Sequence, residues 1–302
     1  MHEIQPGREA SADPKLVTGS ILMTSMLRGT LAALAFTSTV WLAATAAAAD
    51  DRDTCLKESG DEAIAACSRA INSGRYSGRQ LAVLLTNRCA EWPEKQENDK
   101  AIEDCSQALQ LDPTNAEAFS NRGHAYYGKG QYDRAIEDLN QAIRLKPNDA
   151  DLFNNRGLAY SDKGETDRAI EDFNQAIRLD PDLADAFYNR GNAYRRKGQY
   201  DRAIENFNQT IRLKPNYASA FNNRGLAYNK KDQYDRAIED FSQAIRLNSS
   251  DAIAFYNRGI SWELKRDLQR ALADFKKFSE LVPSDPDGPK AIARVTKALS
   301  GR

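Results

Sequence analysis

From Ala116 onward, apolar and small residues fall in a pattern that returns every 34 positions. Phe119, Gly123 and Tyr126 stand three to four residues apart, as do Ala135, Leu139 and Ala142, so each set shares one face of a helix. Gly128, Lys129 and Gly130 interrupt the pattern between the sets, and Pro147 ends the second because its ring cannot continue a helix. The spacing predicts a helical hairpin in which Gly123, Ala135 and Ala142 let two backbones approach while aromatic rings fill the space beside them. The same positions return as Phe153, Gly157 and Tyr160, then Phe187, Gly191 and Tyr194, then Phe221, Gly225 and Tyr228, and last Phe255, Gly259 and Trp262. One hairpin leaves an apolar face uncovered, so neighbours must stack. The period therefore predicts an all-α solenoid.

This pattern of aromatic, Gly, Tyr, then Ala, Phe and Pro resembles the tetratricopeptide repeat (TPR) family, over Leu81 to Asp285. The resemblance implies a right-handed superhelix of helical hairpins. It also implies a concave groove lined by the first helix of each repeat, where protein ligands bind. Three departures mark this chain: Phe for the usual first Trp, Arg122 and its equivalents for the usual Leu, and Ser249 where Pro is expected.

Outside the regular copies the chain divides into segments. Residues 1–25 are polar, carry Pro6 and Pro14 and show no apolar periodicity, which reads as disordered or untranslated. Residues 26–49 have a charged start, an apolar middle and Ala47-Ala48-Ala49 before Asp50, the form of an exported bacterial signal peptide with translation starting at Met26 or Met23. The alternative is an uncleaved anchor, since Leu31 to Ala49 approaches the roughly 20 residues that span a bilayer. Either way the repeats leave the cytoplasm, for the periplasm or beyond, or stay membrane-anchored facing outward. Residues 50–78 read as a capping half-repeat, and 79–285 as six repeats, the first of them degenerate. Residues 286–302 read as a capping helix whose Ile292, Val295 and Leu299 cover the last hairpin while Lys290, Arg294 and Lys297 face water.

Four cysteines in an exported chain point to two disulfides, for which three connectivities exist. Residues equidistant from a hairpin turn face each other, which selects Cys55 with Cys67 and Cys89 with Cys105, each pair stapling an irregular hairpin. The alternative is four buried thiols. The spacings lack the two-residue separation that clamps zinc, so no metal and no cofactor are expected. His124 has no Ser, Cys or carboxylate at a triad spacing and reads as an exposed helix residue; no phosphate loop is present. The sequence reads as no enzyme.

Two polar rows repeat with the same period. Arg88, Arg122, Arg156, Arg190, Arg224 and Arg258 stand sixteen residues before Asp104, Asp138, Asp172, Asn206, Asp240 and Asp274. Across a hairpin these positions face each other, predicting partly buried pairs Arg122–Asp138, Arg156–Asp172 and Arg224–Asp240, with Arg190 lacking a charged partner. The second row is Asn87, Asn121, Asn155, Asn189, Asn223 and Asn257. At 3.6 residues per turn Asn121 points roughly 160 to 200° from Phe119 and Gly123, toward the open face of the first helix. The resemblance extends to TPR asparagine ladders that hold extended peptides by their backbone amides. Between the rungs, Tyr188 and Arg195 are expected to supply selectivity. The Lys and Arg by which similar TPR proteins grip a terminal carboxylate are replaced by Ser120, Asp151, Asn155 and Asp185.

The formal charge is −1 and stays there without residues 1–49, which hold three basic and three acidic residues. Nothing in that balance favours nucleic acid. The many charges instead read as a solvated surface with local pairs such as Arg134 to Glu137 and Asp138. The expected function is a non-enzymatic scaffold outside the cytoplasm that binds a protein or an extended peptide, with no small-molecule substrate. The alternative is a structural subunit of an envelope or secretion complex that packs on a folded partner.

Overall fold

A computed structural model describes residues 51–301; the segments read as a leader lie outside them. Helix follows helix, with no strand among the described residues. The chain forms two compact units.

The first unit covers 51–165. It runs α1 (51–57), α2 (Gly60–Asn72), α3 (Gly78–Glu91), a 3-10 turn (Pro93–Lys95), α4 (Asn98–Leu111), α5 (Ala116–Gly128), α6 (Tyr132–Leu145) and α7 (Ala150–Asp162). Pro93 opens the turn one residue past α3, where its missing N–H and ring bar further α-helix. Hairpins α3–α4 and α5–α6 are close-packed, and α4 then meets α5 and α6 meets α7. Cys55 and Cys67 lie at bonding distance, 2.09 Å between sulfurs, joining α1 to α2; Cys89 and Cys105 do so at 2.00 Å between α3 and α4. Cys89 stands where the regular repeats have Gly and Cys105 where they have Phe or Leu, so a covalent bond replaces the Gly–aromatic contact in the degenerate hairpin.

The second unit covers 166–301. It holds α8 (Thr166–Leu179), α9 (Ala184–Arg196), α10 (Tyr200–Leu213), α11 (Ala218–Asn229), α12 (Tyr234–Leu247), α13 (Ala252–Leu264), α14 (Leu268–Leu281) and α15 (Asp287–Leu299). Its hairpins close tightly: a Cβ built on Gly225 would stand 2.8 Å from the buried ring of Phe241, so only glycine fits there. Phe207, Phe241 and Phe275 are fully buried. Helix α15 lays Ala291 and Val295 against Phe275 and Phe278. Two residues of α15 depart from expectation. Leu299 is exposed, and Arg294, expected in water, makes a bidentate pair of 2.7 Å bonds with Glu263 of α13. A buried carboxylate needs such a partner, and α15 brings it.

No helix among the described residues is long and apolar enough to cross a membrane.

Candidate functional site

The arginine row occupies the inside of the hairpins. Arg122 Nε and Nη2 donate to both oxygens of Asp138 at 2.8 Å, and Arg88–Asp104, Arg224–Asp240 and Arg258–Asp274 repeat that fork at 2.6–2.8 Å. The carboxylate side chains are 6–8% exposed and the arginines 18–21%, so water competes little and the planar fork is held. Asp138 accepting from Arg122 holds that guanidinium above its ordinary pKa.

The third nitrogen adds a contact that sequence reasoning missed. Arg122 Nη1 donates to Ser106, Arg156 to Asn140, Arg190 to Asn174, Arg224 to Asn208 and Arg258 to Ser242, each sixteen residues earlier on the second helix of the preceding repeat. Each guanidinium thus ties one hairpin to the previous one. Arg156 lies in the first unit and Asp172, buried on α8, in the second. Arg190 has no carboxylate opposite: its Nε donates to Asn206 at 2.8 Å, and burial pulls its pKa below the ordinary value.

A second missed row runs along the hairpin turns. Lys129, Lys163, Lys197, Lys231 and Lys265 reach back thirty residues to Asp99, Asp133, Asp167, Asp201 and Asp235 at the start of the preceding second helix. Lys163 is pushed up to about 12 by its bonds to Asp133 and Glu165. The local pairing expected of Arg134 with Glu137 and Asp138 is not what forms. Arg134 donates to Gln131 and lies over the ring of Tyr126, because Asp138 turns inward to Arg122.

The first helices make a continuous face within each unit, α3 with α5 and α5 with α7 in the first, α9 with α11 and α11 with α13 in the second. The asparagine row lies on it, and three of its amides are bonded to the first helix before their own. Asn121 Nδ2 donates to the Thr86 carbonyl at 3.4 Å, Asn223 Nδ2 to Tyr188 Oη and Asn192 Oδ1 at 2.9 Å, and Asn257 Nδ2 to Asn222 Oδ1 at 3.1 Å. Asn87 donates within its own helix to Val83, and Asn189 is half-buried. The expectation of amides standing open is thus corrected at Asn121, Asn223 and Asn257. Adjacent first helices come close enough that each of these three amides bonds a residue 35 positions earlier, the one just before the preceding rung. Asn155 differs. It is 5% exposed, and its Oδ1 has no hydrogen-bond partner among the described residues.

Tyr188 is also placed otherwise than expected. Its ring is buried, stacked on Tyr217 at 4.9 Å and tilted against Phe207, so it shapes the face from beneath. Arg195 is half-buried on the same helix. His124, read as exposed, is mostly buried, and burial alone lowers its pKa to about 4, so the imidazole is neutral. Among the described residues no group of three or more His, Cys, Asp or Glu could hold a metal ion.

Two descriptions of the same repeat match this chain: a TPR repeat over residues 94–130, 123–164, 157–198 and 191–232, and a tetratricopeptide repeat over 218–251. The chain belongs to the tetratricopeptide repeat family. Its all-α architecture is the TPR solenoid. Among solved structures it is similar to PilW, a widely conserved type IV pilus biogenesis factor, at 20% identity over 72% of this chain and 99% of that one, with a TM-score of 0.65. It is similar to YrrB, a TPR protein with an unusual peptide-binding site, at 22% identity over 63% and 98%, with a TM-score of 0.52. It is also similar to MamA of Desulfovibrio magneticus RS-1, at 25% identity over 57% and 97%, with a TM-score of 0.53. No curated protein matches it. Membership in this family makes the chain a protein-interaction scaffold.

Proposed function

We propose that the TPR chain is a non-enzymatic scaffold that works outside the cytoplasm and holds an extended protein segment along the face of its first helices. The carrying observation is the continuous face that the first helices make within each unit of a TPR fold. The half-buried amide of Asn189 lies on that face, and a side-chain amide, which donates and accepts at once, matches a peptide group. Tyr127, whose hydroxyl bonds Asp162, borders the same face and offers a ring for ligand side chains. YrrB, with its peptide-binding site, supplies an analogy of fold.

Export is supported by chemistry. Two disulfides inside the irregular hairpins fit an oxidising compartment, and the leader read from residues 26–49 would deliver the chain to the periplasm or beyond.

Selection of random peptides displayed on phage against the full chain tests the reading. Enrichment of peptides that bind as unstructured segments, at affinities near micromolar, is the expected result. Enrichment of none, with binding restricted to an intact folded partner, favours the structural subunit instead.

A further inference from the structure

Charge is spread unevenly along the repeats. Residues 116–251 hold twenty-one basic and twenty-one acidic side chains, whereas residues 51–115 hold eight basic and twelve acidic, and residues 252–302 ten basic and six acidic. The regular middle is neutral, so the imbalance sits at the two ends, acid at the start and base at the finish. Solubility asks for net charge and not for such a polarity.

In the first unit the acid gathers where α1 turns into α2. Glu58, Glu62 and Glu94 are exposed and join no ion pair among the described residues, while the neighbouring bases Lys57 and Lys95 are already paired with Asp53 and Asp61. The Lys95–Asp61 pair, at 2.9 Å, ties the start of α2 to the 3-10 turn, so the three carboxylates border one edge. Arg52, one turn earlier on α1, adds a single exposed base. Leu56, at the end of α1, is 37% exposed beside them.

In the second unit the signs are reversed. Glu263, Asp267 and Glu280 are each paired, with Arg294, Arg270 and Lys277, while Arg266 and Lys297 are exposed and join no ion pair among the described residues. The Arg294–Glu263 fork sets α15 alongside α13 with an offset of thirty-one residues, which brings Lys297 and Leu299 level with the turn that holds Arg266. Leu299 is 38% exposed. It stands one period after Lys265, which reaches back to Asp235, so an apolar residue ends the lysine row.

We infer that these two patches are the complementary halves of a contact between copies of this chain. Leu56 of one copy, bordered by Glu58, Glu62 and Glu94, docks on Leu299 of the next, bordered by Arg266 and Lys297. Two unlike patches make a heterologous contact, so each copy keeps one patch for a further copy. The leucines lose apolar surface to water on meeting. The charges around them steer unlike ends together and set like ends against each other. Because those charges lie at the surface, the contact is weak and falls with salt. It does not depend on what the first-helix face holds.

Sedimentation velocity of the full chain with its disulfides intact, over a range of protein concentrations, tests the contact. At about 10 mM salt, where charges act over about 30 Å, the mean sedimentation coefficient should rise with concentration; at about 1 M, where they act over about 3 Å, the rise should largely vanish. The double variants Glu58→Lys with Glu62→Lys, and Arg266→Glu with Lys297→Glu, should keep their helical circular dichroism and each lower the association constant about tenfold or more. Mixing the two variants should restore association, because each then presents the end that the other lacks. Leu299→Ser should weaken association without changing the direction of its salt dependence. A chain that is monomeric at every concentration in low salt, or double variants that associate like the parent, would overturn the contact. So would a mixture that stays monomeric. A monomer that instead sediments with anionic phospholipid vesicles, and is released by Arg266→Glu with Lys297→Glu, would overturn it in favour of a membrane surface.

Discussion

Asp138 gives the most direct residue-level test of the arginine row. Removing one partner of a buried ion pair strands the other charge, so Asp138→Ala should cost about 2–4 kcal/mol in urea unfolding. Asp99→Ala, which removes an 83%-exposed carboxylate, should cost under about 1 kcal/mol. Conversely, Asn206→Asp should supply the missing carboxylate of Arg190 and stabilise the chain by about 1 kcal/mol. His124 links stability to pH. Its pKa falls from 6.5 in the unfolded chain to about 4 in the fold, so the folded state binds fewer protons between those values. Its contribution is complete above pH 6.5 and is lost as pH falls toward 4, by about 3 kcal/mol at most. His124→Phe should flatten that part of the stability profile, measured by thermal unfolding across pH 4–7. The Arg–Asp pairs were legible because both members recur at fixed spacing and the hairpin rule sets them opposite. Ser106, Asn140, Asn174, Asn208 and Ser242 were hidden because the residue type changes between serine and asparagine along the row, and because their bonds leave the hairpin the rule describes.

At the scale of the element, the hairpins depend on close approach at one point and a left-handed residue at another. Gly225→Ala would press a methyl group into the ring of Phe241, and the overpacking, about 1–3 kcal/mol, should outweigh the roughly 1 kcal/mol that alanine gains in a helix. The turn after each first helix needs a positive φ. Gly130, Gly164 and Gly198 supply it at no steric cost, whereas Arg266 adopts φ 66° with a side chain. Arg266→Gly should therefore raise the melting temperature, by the equivalent of about 0.5–1 kcal/mol; a drop would show that the side chain earns its conformation. The period and the hairpins could be read from Phe119, Gly123 and Ala135 because those residue types are dictated by packing. A helical wheel aims Asn121 at the open face. It could not show how near the next first helix stands, and that nearness decides whether an amide is open or bonded.

For the whole molecule, the disulfides make the start of the described chain depend on oxidation. Closing loops of this size is worth roughly 3 kcal/mol each in the chain-entropy model. Reduction should strip hydrogen-exchange protection from residues 51–111 while leaving 166–301, which contain no cysteine, protected. Loss of protection throughout would mean that the repeats unfold as one. Family and fold were readable from the period; the partner is not, because the residues that recur are those that join repeat to repeat. The central claim is that the first-helix face holds an extended peptide, and site-directed photocrosslinking tests it most directly. A benzophenone amino acid placed at Ser120 on α5 should capture the selected peptide, whereas one at Gln110, exposed on the second helix α4, should not. Capture from Gln110 with none from Ser120 would contradict the account.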